Sequence, residues 1–121
     1  YRSSRGLGDV YKRQPYMALK NVIELSVTDV KSCIKVDDAA PGIDEGHNAG
    51  MWTVGLLLSG NEAGLTYEEY QKADEATLNA AREKAKVKLM KSAPHYLIDT
   101  ISELPEVVKD IQRRLEAGER P

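Results

Sequence analysis

The chain has 121 residues, 41% of them apolar and 30% charged, and a net charge of −2. That suits one soluble domain or part of a larger one, and the charge gives no electrostatic case for nucleic-acid binding. A single cysteine, Cys33, excludes an internal disulfide and suits a reducing cytoplasm. The longest apolar run, MWTVGLLL, is too short to span a bilayer. The expectation is a cytoplasmic α/β chain that binds neither nucleic acid nor membrane.

Residues 1–14, YRSSRGLGDVYKRQ, have no apolar periodicity, two glycines and four basic residues. The string is similar to translated sequencing-adapter sequence. It is set apart as a non-native start, expected to pack against nothing, and the domain reading begins at Pro15.

From Tyr16 the spacing of Met17, Leu19, Val22, Ile23 and Leu25 predicts a helix, with Pro15 suited to its start. A polar link leads to the β-type run CIKV, then to DDAAPG, with Pro41 tolerated in the first turn of a helix. That helix, IDEGHNA, is expected to end at Gly50 in the left-handed conformation. MWTVGLLL reads as a strand buried on both faces, the pattern of a parallel sheet. After the loop SGNEAGLT, Thr66 and Glu69 have capping-box spacing. Residues 67–91 are rich in Ala, Glu and Lys, and Leu78, Ala81, Ala85 and Leu89 share a face, so one long or two short helices follow. HYLID is a short strand. SELPEVVKDIQRRL is a last helix, with acids early and arginines late as the helix dipole favours.

The order α-β-α-β-α-β-α implies a parallel sheet with crossover helices. The architecture expected is α/β: a partial doubly wound, Rossmann-like sheet over residues 15–121. In such sheets ligands bind at the carboxyl ends of the strands. Asp37 and Asp38 follow the first strand, and two neighbouring carboxylates there suit a hard cation such as Mg²⁺. The bland alternative is one aspartate capping the helix and the other solvated.

The stretch VDD…GIDEGHNAGMWTVGL resembles the fourth motif region of the haloacid-dehalogenase-like hydrolases. Its flanks, PYMALKNVIEL and GNEAGLTYEEY, and the helical insert before HYLIDTISELPEVVKDI, resemble one branch, the phosphonoacetaldehyde hydrolases (phosphonatases). The resemblance covers residues 15–115 and implies the C-terminal half of that family's core domain, entered mid-protein. It implies a Mg²⁺-dependent hydrolase of a phosphonate, giving acetaldehyde and phosphate in phosphonate catabolism. In that family an aspartate is the nucleophile, a cap-domain lysine forms a Schiff base with the aldehyde, and the enzyme is a homodimer.

Residue by residue, the resemblance implies Asp38 as a metal ligand and Asp37 as its supporting neighbour. The nucleophile and the Schiff-base lysine have no counterpart in this chain, so the chain alone is expected to be inactive. Lys12 or Arg13 falls near a phosphate-contacting basic residue of the family but inside the segment set apart, and carries no role over. Ala39 departs from the family's more usual threonine, at a cost to local hydrogen bonding. His47, His95, Trp52 and the Lys/Glu-rich helix are read as structural, and Cys33 as a small apolar filler. Two other readings stand beside this one: another phosphatase or phosphoglucomutase of the superfamily, and a non-catalytic interaction module.

Overall fold

The computed structural model describes residues 13–59 and 63–121. Helix α1 (Tyr16–Glu24) and a short 3₁₀ turn lead to strand β1 (Ile34–Asp37), helix α2 (Ala40–Asn48) and strand β2 (Trp52–Leu56). Helices α3 (Tyr67–Lys72) and α4 (Glu75–Leu89), strand β3 (Tyr96–Ile98) and helix α5 (Leu104–Glu116) follow. The three strands lie in the order β1-β2-β3 and pair in parallel. The expected α/β architecture is therefore the observed one.

Alternation along β2 sorts the layers. Trp52 and Val54, both fully buried, pack with Ile98 against Val107 and Ile111 of α5. On the other face Leu57 meets Ile43 of α2 and Ala85 and Leu89 of α4. Helices thus cover both faces, which explains why the second strand reads as continuously apolar. Full burial of a Val, Leu or Ile side chain contributes about 1.5–3 kcal/mol; Val54 on one face and Ile43 and Leu89 on the other are all fully buried.

Local signals take their predicted places. Gly50 follows α2 with φ of 82°, the left-handed value glycine adopts without a Cβ clash. Thr66 accepts from the Glu69 amide while Glu69 accepts from the Thr66 amide, each at 3.1 Å. The helical stretch 67–91 is two helices rather than one. Ala73 is extended, and Asp74 caps α4 by accepting from the Thr77 amide at 2.8 Å. The first strand begins at Ile34 and takes in Asp37, one residue later than the apolar run suggests. Among the described residues no helix is long and apolar enough to cross a membrane.

Residues 1–12 lie outside the described residues, so the expectation for that segment stands apart from the structure; Gly60, Asn61 and Glu62 of the GNEAGLT loop do too. Arg13 pairs with Asp44 at 2.9 Å, and its carbonyl accepts from Asn48 Nδ2 at 2.8 Å.

Candidate functional site

Asp37 is the last residue of β1 and pairs in register with Gly55 toward the carboxyl end of β2. Both predicted acids therefore stand at the edge where open α/β sheets bind ligands. Asp37 Oδ1 accepts from the Ala39 amide at 3.0 Å, and Oδ2 accepts from Lys35 Nζ at 3.1 Å. The carboxylate lies against the first turn of α2 at Gly42. A Cβ there would sit 1.8 Å from Oδ2, so any side chain at Gly42 would evict it. Ala39 itself caps α2 with no side-chain hydrogen bond, the deficit expected from its lack of a hydroxyl.

Lys35 continues the network inward. Its ammonium lies 3.5 Å from Glu45 Oε1, and Glu45 Oε2 accepts from the Ala18 amide of α1 at 2.8 Å. Glu45 is buried, and its charge is tolerated because both oxygens are engaged. One lysine thus bridges the strand-tip aspartate and a buried glutamate. The sequence reading passed over both residues, although the i, i+2 alternation of a strand places Lys35 and Asp37 on one face.

Asp38 follows directly and is half-buried. Among the described residues no group of three or more His, Cys, Asp or Glu side chains gathers into a metal cluster. The donors at this edge are hard carboxylate oxygens, one or two in number. That is the share a protein segment gives to Mg²⁺, which keeps waters and substrate oxygens as its other ligands. The donor type at this strand tip suits such an ion, with Asp37 already engaged through both oxygens.

The tip of β3 carries a carboxylate too, Asp99, directly after Ile98. Asp99 accepts from Arg82 Nε at 2.9 Å and from Nη2 at 3.0 Å, a bidentate pair that ties α4 to the end of β3. A cleft of about 350 Å³ under α1, lined by Met17, Val22, Leu25, Ile34 and Met51 among others, is largely apolar. Asp37 and Asp38 do not line it.

The opposite edge holds an arrangement that sequence reading missed. His47 of α2 and His95, just before β3, bring their rings to 5.0 Å around Thr53 of β2. Thr53 Oγ1 lies 3.0 Å from His95 Nδ1 and 3.2 Å from His47 Nε2, and His47 Nε2 lies 2.9 Å from the Ala93 carbonyl. A carbonyl only accepts, so His47 carries its proton on Nε2. Burial, helped by His47 and Arg114, holds the His95 pKa below its ordinary value. The available signal was register: Val54 pairs with Tyr96, which sets the preceding residues, Thr53 and His95, side by side. These groups link strands and helix at the amino edge, away from the aspartates.

Cys33 and Trp52 both pack among apolar neighbours. Cys33 packs beside Ala18, Ala49 and Met51, and burial, then Asp29, pushes its thiol pKa up. Trp52 is fully buried, its Nε1 donating to the Lys31 carbonyl at 2.9 Å.

Comparison with known proteins supplies the family context. No family model matches the chain. A phosphonoacetaldehyde hydrolase of Vibrio campbellii is 85% identical over 107 residues, which are 88% of this chain and 40% of that protein. Phosphonoacetaldehyde hydrolases of Aliivibrio salmonicida and Vibrio cholerae are 79% and 73% identical, over 88% of this chain and 39% and 40% of their own lengths. The crystal structure of a phosphonoacetaldehyde hydrolase like protein from Oleispira antarctica superposes with a TM-score of 0.86 at 47% identity, covering 90% of this chain and 40% of that one. The chain spans about two fifths of the length of the curated relatives it matches. In sequence and in fold alike, the chain resembles the phosphonoacetaldehyde hydrolase family over that portion.

Proposed function

We propose that this chain is the metal-binding part of a Mg²⁺-dependent hydrolase that cleaves the carbon–phosphorus bond of phosphonoacetaldehyde, giving acetaldehyde and phosphate. The observation that carries the reading is 85% identity to a phosphonoacetaldehyde hydrolase across a segment that includes a paired-carboxylate strand tip. In this reading Asp38 holds the ion directly. Asp37, with its oxygens engaged by Lys35 and the Ala39 amide, fixes the tip from behind. When bound, Mg²⁺ would offset charge on the phosphoryl oxygens and orient them for attack. The chain's own work is to present Asp38 on a short, closely packed turn between β1 and α2. The nucleophile and the imine-forming lysine belong to other parts of the enzyme, as the family resemblance implies. It also implies a cytoplasmic homodimer acting on a small phosphonate.

The test is a full-length chimera in which residues 15–121 replace the corresponding segment of the Vibrio campbellii relative. Phosphate release from phosphonoacetaldehyde is expected within about tenfold of the unmodified relative, and to stop on chelation of Mg²⁺. A folded chimera that releases phosphate from sugar phosphates but not from the phosphonate would move the assignment to another phosphatase of the superfamily. A folded chimera that hydrolyses neither would favour a non-catalytic segment.

A further inference from the structure

We infer that Lys35 is a positioning residue for the metal-binding turn, an inference that rests on the proposed reading of Asp38 as the Mg²⁺ ligand. Three observations carry it. The ammonium sits between two carboxylates, 3.1 Å from Asp37 Oδ2 and 3.5 Å from Glu45 Oε1. These side chains are 27%, 23% and 11% exposed respectively, so the interaction is shielded from the solvent that makes surface ion pairs weak. The stem of Lys35 is also trapped. It crosses α2 at Gly46, where a Cβ would lie 2.7 Å from Lys35 Cβ and 2.9 Å from its Cγ. Packing thus fixes the root of the side chain, and the two carboxylates hold its ammonium end.

The consequence is a division of labour between the two aspartates. Lys35 neutralises Asp37 and engages its Oδ2, while the Ala39 amide holds Oδ1, so both oxygens already have partners within the chain. Asp37 then acts as a bracket that sets the backbone from which Asp38 projects. Without Lys35, two adjacent carboxylates would compete for one ion, and the turn between β1 and α2 would lose its tie to Glu45 and, through it, to the first turn of α1. The cation thus organises the site without entering the metal's coordination.

The experiment uses the full-length chimera and measures Mn²⁺ binding directly by electron paramagnetic resonance, with no substrate and no turnover. Lys35→Met is expected to weaken Mn²⁺ binding about tenfold, the usual scale for residues that orient metal ligands. Lys35→Arg is expected to restore it to within about twofold, because a guanidinium can span the same two carboxylates. Because Lys35→Met leaves buried Glu45 without its cation, the pair Lys35→Met/Glu45→Gln is measured too. It removes the stranded charge and is expected to show the same weakening with the fold retained. Asp38→Ala serves as the reference arm. If Asp38→Ala abolishes binding while both Lys35→Met proteins bind as tightly as the parent, the positioning inference is overturned and the proposed site survives. If Asp38→Ala itself leaves binding intact, the metal reading fails, and the inference fails with it.

Discussion

His95 Nδ1 lies 2.9 Å from the backbone nitrogen of Thr53 and accepts a hydrogen bond from that amide. An amide can only donate, so His95 is held neutral, with its own proton on Nε2. Protonating Nδ1 would abolish the bond and place a cation beside His47 and Arg114, the two groups that already disfavour charge there.

The first prediction is a pH dependence of stability. The folded pKa of His95 is below the ordinary histidine value, so the unfolded chain binds more protons in the intervening range. The contribution is therefore present in full above a pH of about 6.5 and is lost as pH falls through the folded value. Urea unfolding of the chimera at stepped pH should show this decline. In His95→Asn, whose side-chain oxygen takes over the acceptor role, that part of the slope should vanish. An unchanged slope in the variant would assign it to other groups.

A second prediction concerns Gly42. Alanine there puts a Cβ 1.8 Å from Asp37 Oδ2, a clash with a carboxylate already fixed by Lys35 and Ala39. Overpacking of this kind costs about 1–3 kcal/mol. Gly42→Ala should lower the melting temperature of the chimera and weaken its Mg²⁺ dependence together. A loss of stability with unaltered metal response would separate Asp37 from the metal turn.

Cys33 gives a third. Its thiol pKa is raised by burial and by Asp29, and Sγ donates to the Asp29 carbonyl at 3.7 Å, so little thiolate is present near neutrality. Cys33→Ala in the chimera should leave turnover within about twofold of the parent, and iodoacetamide should modify the folded protein more slowly at this position than after unfolding. Inactivation that tracks labelling of Cys33 would give the thiol a role it is not assigned here.

The layered sheet and the strand tip were legible in the sequence because both rest on local signals. The CIKV and MWTVGLLL runs, the capping pair Thr66 and Glu69, and Gly50 each specify their own few residues, and parallel pairing follows from their alternation with helices. What was not legible depends on partners distant in the chain. Lys35 looks like an ordinary polar position of a strand until α2 lays Gly46 across its stem and Glu45 beside its ammonium. His47 and His95 are separated by 48 residues of numbering and meet only through Thr53. The break at Ala73 was left open in the sequence because Asp74 competes as a cap with a helical pattern that runs on past it.

The fourth prediction separates the two aspartates by function. In the chimera Asp38→Ala removes a ligand and the charge that balances the ion, and should lower Mg²⁺-dependent turnover by about a hundredfold or more, whereas Asp37→Ala, which removes only the bracket, should cost about tenfold. Equal and mild effects would reduce the pair to helix capping.

The most direct measurement is a crystal structure of the full-length chimera grown with Mn²⁺ in place of Mg²⁺, with the ion located by its anomalous scattering. The predicted result is a single peak at the carboxyl end of β1, in direct coordination by a carboxylate oxygen of Asp38, with Asp37 still bonded to Lys35 and the Ala39 amide. A peak coordinated by Asp37 in place of Asp38, or one bound away from this strand tip altogether, would contradict the account.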